Sequence, residues 1–201
     1  AVVCRKDVPG FIINRLFIPL VHEACYLKDR ENLALEEIDS AFKLNLGFPM
    51  GIFELADFTG MDVIHKATQE MHLRDKKVIN PHPLIEKMFD EKKLGQKSGE
   101  GFYKYSDDKY ERVELSEELA TKCNPIQLVA NILNNAAWLI SNGASDIDEI
   151  EKASQLGLGL RKPLFETAKQ IGIKNIVDEL NNLAKQHGEF YTPDSLLVSM
   201  Q

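Results

Sequence analysis

The chain has 201 residues, of which 44% are hydrophobic and 27% charged, as in an ordinary soluble globular protein. Its formal net charge of -7 argues against nucleic acid or an anionic membrane surface as a partner, and no apolar run approaches membrane-spanning length. The three cysteines form no CxxC motif and leave one unpaired in any disulfide scheme, so we expect a reducing, cytoplasmic location.

The first predicted element after the terminus is a long helix. Residues 1–4 form a short apolar run that favours a β-strand. The Pro9-Gly10 pair then predicts a change of chain direction. Apolar residues recur at helical spacing from there, which predicts a helix over residues 14–29. Pro19 should kink this helix, because a proline removes one backbone hydrogen bond.

Four more helices are predicted in the first half of the chain, at residues 35–45, 52–58, 62–71 and 83–93. Gly60 suits a left-handed helix end, Asp62 suits a helix cap, and Pro83 suits a first helical turn. Residues 95–101 are predicted to be a flexible loop, and residues 102–105 to be extended.

After a polar boundary segment at residues 106–118, the pattern of the first half returns. One constant offset in residue number, the one that carries Ile38 to Ile150, brings the two halves into register, and we call it the repeat offset. About eleven of roughly twenty-eight aligned positions match, where unrelated sequence would give about two. The sequence therefore predicts an all-α fold, a tandem duplication of a helical unit whose two copies bury their apolar faces against each other.

Asn14 is the best candidate for a functional side chain. It falls in the first turn of the predicted first helix, and its amide can donate to and accept from a group outside the helix. The alternative is that it satisfies backbone groups at the helix start. The matching position in the second copy is Ile126, which cannot hydrogen-bond through its side chain, so we expect only the first unit to keep this function.

The remaining motifs mainly exclude other kinds of binding site. Residues 95–101 read GQKSGEG, which is not a phosphate-binding P-loop because the GK[ST] ending and the preceding strand are absent. Lys97 in this loop is either a mobile surface lysine or a specific contact. We predict no metal site, and we expect His65 and His72 to be solvated because no third ligand lies near them in the sequence.

Three segments of the first half resemble the C-terminal domain of 3-hydroxyacyl-coenzyme A dehydrogenase. They are PGFIINR at residues 9–15, LGFPMGIFELADFTGMD at residues 46–62, and GQKSGEGFYKY at residues 95–105. The resemblance implies a 6-phosphogluconate dehydrogenase C-terminal-like fold. It also implies three parts: the end of a nucleotide-binding domain at residues 1–8, a substrate-binding repeat at 9–110, and a degenerate, structural repeat at 111–201.

The resemblance also implies a reaction. The family carries out the reversible, NAD-linked oxidation of an L-3-hydroxyacyl thioester to the 3-ketoacyl form, in fatty-acid β-oxidation or 3-hydroxybutyryl-CoA metabolism. Asn14 would then be catalytic, reaching the 3-oxygen of the substrate or the catalytic histidine, and Lys97 would contact NAD. The residues expected to bind substrate beside Asn14 are Phe11, Phe48, Pro49, Met50 and Phe53. Ile52 departs from the proline usual in the family, which leaves the shape of the acyl pocket open.

The family's catalytic histidine–glutamate pair and dinucleotide site belong to a Rossmann domain outside this sequence. We therefore expect residues 1–4 to be the last strand of that domain, and the chain alone to be inactive. The implied partners are an acyl-CoA substrate, the chain's own N-terminal Rossmann domain, a second copy in a homodimer and, as in some relatives, a fused enoyl-CoA hydratase domain. Two alternatives stay open: a non-catalytic helical dimerisation module, and the helical domain of another two-domain hydroxy-acid dehydrogenase.

Overall fold

The computed structural model describes residues 1–106 and 109–201 and is built mainly of helices. The helices are, in chain order, α1 (Ile13–Glu31), α2 (Leu35–Ser40), α3 (Ile52–Thr59), α4 (Met61–Arg74), α5 (Pro83–Asp90), α6 (Glu117–Ala120), α7 (Ile126–Ser141), α8 (Ile147–Leu158), α9 (Leu164–Ile171), α10 (Ile173–His187) and α11 (Ser195–Ser199). An antiparallel hairpin of β1 (Lys104–Ser106) and β2 (Lys109–Glu111) lies between α5 and α6 in the sequence. The predicted boundary segment includes residues 107 and 108, which lie outside the described residues.

Helix α1 is the centre of the fold. It follows a sharp turn at Gly10, where φ is +79° and an added Cβ would lie 2.7 Å from the terminal methyl group of Met71. The helix continues through Pro19 to Glu31 and is capped by Asn32, whose backbone N–H donates to the carbonyl of Lys28. Every side chain from residue 15 to residue 25 is buried, so this helix contacts neighbours on all sides.

Several predicted boundaries are corrected by the structure. The predicted helix at residues 35–45 is α2 followed by a π-helical turn, Ala41–Asn45. The predicted strand at residues 1–4 is absent from the described residues, where this segment has no regular structure. Helix α5 begins at Pro83 as predicted but ends earlier, at Asp90. The differences at α2 and α5 concern helix ends, where local pattern is least informative.

The start of α4 is also different from the prediction. Gly60 has φ of +96° but ψ of 134°, so it is not in the left-handed helical region, and it precedes the helix directly. Asp62 lies inside the first turn and makes no cap; its carboxylate pairs with Lys97. The predicted loop at residues 95–101 contains a short 3₁₀ turn, Gln96–Ser98.

The predicted duplication is confirmed by the positions of the helices. When the repeat offset is added to its residue numbers, α3 begins and ends where α9 does. In the same way, the first residue of α4 matches the first residue of α10. The glycines between them, Gly60 and Gly172, have φ values of +96° and +97°. Helix α1 packs along α7, its counterpart in the second copy, so the two copies bury their apolar faces against each other.

A pair of matched carboxylates holds the same corner in each copy. Asp39 accepts hydrogen bonds from the backbone N–H groups of Phe53 and Glu54, at 2.9 and 3.2 Å, and so satisfies the start of α3. Glu151, its counterpart under the repeat offset, accepts from Leu164 and Phe165 at 2.5 and 2.8 Å at the start of α9. Asp39 is fully buried, and burial raises its pKa to about 8.

The C-terminal tail docks on both copies. Tyr191, only 1% exposed, donates to Glu23 of α1 at 2.9 Å and also hydrogen-bonds to Arg30. Helix α11 packs on α7. Across residues 1–106 and 109–201, we find no helix with both the length and the apolar character that a membrane crossing requires.

We expect Asp39→Ala to destabilise the fold more than Glu151→Ala. The first change leaves two helix N–H groups and the hydroxyl of Tyr103 without their acceptor in the core, at about 1–3 kcal/mol for each buried donor. Glu151 is half-buried, so water can replace its carboxylate, and we expect a loss of about 0.5–2 kcal/mol. Urea unfolding followed by circular dichroism measures both. Equal losses, or none for Asp39→Ala, would contradict this role.

Candidate functional site

The side chain of Asn14 is exposed at the start of α1. It lines a shallow depression of about 320 Å³ together with Val2, Cys4 and the Gly10-Phe11 turn. Among the described residues its amide makes no hydrogen bond, and the N-terminus of α1 has no side-chain cap. The alternative that Asn14 satisfies its own helix start is therefore not what the structure contains. Its donors and its acceptor face outward, available to another molecule or domain.

Phe11 lies beside Asn14 in an unusual conformation. Its φ is +50°, in the left-handed region that residues with a Cβ seldom adopt, and the residue is 54% exposed. An exposed aromatic ring on a strained backbone gains little from folding alone. Such strain is common where a side chain is held for binding.

The Phe-Pro-Met corner, residues 48–50, was predicted to form a wall of the acyl pocket, and its residues differ in exposure. Phe48 stacks on Phe42 with ring centroids 3.9 Å apart and is 4% exposed, and Phe53 is fully buried against Phe102. Both are therefore core residues of this chain. Neither lines the depression beside Asn14.

Pro49 and Met50 remain at the surface, exposed and half-buried respectively. A Cβ added at Gly159 would lie 2.8 Å from Cγ of Pro49, and one added at Gly157 would lie 2.3 Å from Cδ1 of Ile13. The glycine-rich end of α8 thus contacts both the corner and the residue before Asn14. The second copy thereby supports the surface on which the first copy's candidates lie.

Lys97 lies at a different place, above the turn between α3 and α4. Its ammonium group pairs with Asp62, and hydrogen bonding to Lys97 lowers the pKa of that carboxyl group. The pair is at the surface, with the lysine side chain 46% exposed. Lys97 does not line the depression beside Asn14. The structure therefore leaves Lys97 accessible without bringing it to Asn14.

The segment that carries Lys97 is fixed by a carboxylate that sequence reasoning missed. Asp57 of α3 accepts hydrogen bonds from the backbone N–H groups of Phe102 and Tyr103, both at 2.9 Å, and from the hydroxyl of Tyr105 at 2.7 Å. Burial raises the pKa of Asp57, although these donors oppose the shift. Gly101 is required here, since an added Cβ would lie 2.1 Å from Oδ1 of Asp57. Gly101 thus serves close packing against Asp57.

Three of the five histidines, His22, His65 and His82, are buried. His22 accepts from the N–H of His82 at 2.9 Å through Nδ1 and lies 2.8 Å from the hydroxyl of Thr68 through Nε2. Burial, followed by the effect of His82, lowers the pKa of His22 to about 3, so it is neutral. The expectation that His65 is solvated is wrong, because it is 9% exposed and stacks on Phe89 at 4.1 Å.

Comparison with known proteins gives one consistent family. The profile described as "3-hydroxyacyl-CoA dehydrogenase, C-terminal domain" matches residues 10–105 and 127–201. A probable 3-hydroxyacyl-CoA dehydrogenase of Caenorhabditis elegans is 45% identical over 105 residues, covering 51% of this chain and 34% of that protein. The human mitochondrial hydroxyacyl-coenzyme A dehydrogenase is also 45% identical over 105 residues, covering 51% and 33%. The matched part is thus about a third of these relatives.

A solved structure extends the likeness to the whole chain. The 3-hydroxybutyryl-CoA dehydrogenase of Escherichia coli K12 aligns with a TM-score of 0.79 at 24% identity, covering 99% of this chain and 61% of that one. The dehydrogenase part of multifunctional enzyme 1 from C. elegans aligns with a TM-score of 0.58 at 21% identity, covering 92% and 47%. At these identities the likeness concerns the fold.

We expect Phe11→Gly to stabilise the chain. Glycine relieves the left-handed backbone, which disfavours other residues by about 1–2 kcal/mol, and little buried surface is lost. Phe11→Ala is the matched control, because it removes the ring but keeps the Cβ and the strain. Thermal unfolding compares them. A Phe11→Gly variant less stable than wild type would mean that the ring, not the backbone, determines this turn.

Proposed function

Because the chain belongs to the family of 3-hydroxyacyl-CoA dehydrogenase C-terminal domains, we propose that it is the substrate-binding and oligomerisation part of an NAD-dependent L-3-hydroxyacyl-CoA dehydrogenase. The reaction is the reversible conversion of a 3-hydroxyacyl-CoA to a 3-ketoacyl-CoA, in β-oxidation or 3-hydroxybutyryl-CoA metabolism. The observation that carries the proposal is the outward-facing amide of Asn14, which makes no hydrogen bond within the described part of the chain and lies in the motif that resembles the family.

Asn14 is suited to hold the reacting oxygen. A neutral amide N–H can donate to the 3-oxygen of the acyl group, or to the histidine beside it, as hydride leaves the same carbon. Since the amide carries no charge, it fixes geometry without displacing the pKa of a neighbouring base. Phe11, Pro49 and Met50 are the accessible apolar residues of the predicted substrate wall, and methionine adapts well to a flexible acyl chain.

The dinucleotide, when bound, supplies the hydride acceptor. We propose that its site lies mainly in a Rossmann domain of the same polypeptide, and that this chain contributes Lys97. The lysine fits a phosphate or ribose contact because its ammonium group is at the surface and its partner Asp62 is also partly exposed. In this proposal residues 9–110 carry the function and residues 111–201 support them, since position 126 is isoleucine.

The remaining partners are proposed by the same resemblance. They are a second copy in a homodimer and, in a longer polypeptide, a fused enoyl-CoA hydratase domain. The three cysteines are free, Cys25 and Cys123 being buried, in keeping with a reducing compartment such as the cytoplasm. A non-catalytic helical dimerisation module remains the rival function, as does the helical domain of another hydroxy-acid dehydrogenase.

We expect the chain of residues 1–201 alone not to reduce acetoacetyl-CoA with NADH. Fusion of the Rossmann domain of a 3-hydroxybutyryl-CoA dehydrogenase ahead of Ala1 should give turnover. In that fusion we expect Asn14→Ala to lower kcat by about 10²–10³, as for removal of one donor to a reacting oxygen. NADH absorbance follows the reaction, and chemical unfolding follows stability.

The matched control is Ile126→Ala, the equivalent truncation in the second copy, which should leave kcat unchanged. Turnover by the unfused chain would contradict the proposal that the reaction needs a separate Rossmann domain. An Asn14→Ala variant with full kcat but lower stability would favour the non-catalytic module.

We expect Lys97→Met to raise the KM for NADH in the fusion about fivefold, because an exposed charge contact is worth up to about 1 kcal/mol. Lys93→Met is the control, since Lys93 is a neighbouring surface lysine paired with Glu91 and Glu100. Equal KM values in both variants would remove Lys97 from the cofactor site while leaving the role of Asn14 intact.

A further inference from the structure

A second cavity, of about 630 Å³, lies between the two copies. It is bordered by α1, α7, α10 and the C-terminal tail, through residues that include Arg15, Trp138, Leu180 and Phe190. None of its lining residues also lines the depression beside Asn14. The two hollows therefore offer separate binding surfaces.

Arg15 is the unusual residue of this cavity. It is 3% exposed and its guanidinium lies over the ring of Trp138, 3.4 Å from the centroid. Within residues 1–106 and 109–201, its Nε and Nη1 atoms are buried and have no hydrogen-bond acceptor. Burial lowers the pKa of Arg15 to about 10, with an opposing effect of Asp75, so the side chain is still a cation at neutral pH.

Stacking on the indole does not satisfy these donors. The N–H groups of a guanidinium lie in its plane, so a ring below the plane leaves them directed sideways. A buried cation without an acceptor is strongly unfavourable, and such groups normally have a partner. The amide oxygen of Asn131, 4% exposed and also lining the cavity, is likewise without a partner in the described part of the chain.

The two copies carry different residues at the positions related to Arg15 and its surroundings. At the other end of the α1–α7 contact, Glu23 and Gln127 both accept from Nη1 of Arg30, at 2.6 and 2.8 Å. The repeat offset relates Gln127 to Arg15 and Glu23 to Asn135. The first end therefore has a carboxylate with a bridging cation. The second end has a cation, Arg15, and a neutral asparagine, Asn135, and both line the cavity.

Among the described residues, no acidic side chain around the cavity accepts a hydrogen bond from Arg15, although Asp75 favours its charged form. Lys76 and Lys77 are cationic and exposed at its rim. Asp75 accepts from the backbone of Lys77 at 2.9 Å, and Asp194 accepts from Leu196 and Ser141, both at 2.9 Å. Glu189, the remaining acidic residue of the lining, is exposed to solvent.

We propose that this cavity binds a small organic anion, whose carboxylate or phosphate group accepts hydrogen bonds from Arg15 and whose apolar body packs among Trp138, Leu180 and Phe190. The site is independent of the proposed dehydrogenase function, because it shares no residue with the depression beside Asn14.

Trp138 is the single tryptophan of the sequence, so its fluorescence reports directly on the cavity. Chain 1–201 is titrated with benzoate, phenyl phosphate and the neutral isostere benzamide, and thermal unfolding is followed in parallel. We expect a saturable fluorescence change and a raised Tm with one or both anions, and neither with benzamide. Comparing the binding of benzoate with that of phenyl phosphate shows whether the cavity prefers a carboxylate or a phosphate group.

Two variants test the assignment to Arg15. Arg15→Gln removes the cation, and Asn135→Glu supplies the carboxylate that the first copy has at Glu23. Each should weaken anion binding about tenfold or more, since a charge-assisted contact is lost or already occupied. Asn135→Glu should also raise the Tm of the ligand-free chain, a result that would decide the matter even if Arg15→Gln failed to fold. Arg161→Gln, at an exposed arginine outside the cavity, should bind like wild type.

No response to either anion, an equal response to benzamide, or binding that survives Asn135→Glu would overturn the proposal. Because none of these measurements uses NADH or an acyl-CoA, their outcome is separate from that of the dehydrogenase assays.

Discussion

The packing of α1 against α7 is the constraint on which the rest of the structure depends. Together with α2, α3, α4 and α8 on the other faces, it buries α1 on every side, although that helix carries charged and polar residues as well as apolar ones. Each buried polar group must then find a partner or remain unfavourable. His22 is satisfied by a hydroxyl and a backbone N–H, Glu23 by Arg30 and Tyr191, and Arg15 rests on an indole with two donor atoms unpaired among the described residues. Asn14 lies one position before the buried stretch and stays accessible.

The fold was largely accessible from the sequence because it repeats itself. Apolar periodicity predicted the helices, and a single repeat offset related α3 to α9 and α4 to α10. The site was less accessible. The motif around Asn14 pointed to an exposed amide at a helix start, which the structure contains, whereas Phe48 and Phe53, expected on a pocket wall, are buried within the chain. Aromatic residues in a family motif can equally be core residues, and burial rather than residue type distinguishes the two.

The interactions that sequence reasoning missed all join distant positions. Asp57 holds the segment at Phe102 and Tyr103, and Tyr191 reaches back to Glu23 across 168 positions. No local pattern reveals such partners. One signal was present but unused: Asp39 and Glu151 are both acidic and related by the repeat offset, which predicts a shared structural role in the two copies.

Covalent linkage of the two copies frees them from symmetry. When two identical chains meet across a two-fold axis, every substitution changes the contact twice, and a residue can specialise only if its mirror position tolerates the same change. Here a glutamate at position 23 and an asparagine at position 135 occupy related places in one polypeptide. One of the two related contacts could therefore acquire an ion pair, while the other acquired a cavity. Duplication within one chain therefore allows two related contacts to differ in charge and in packing.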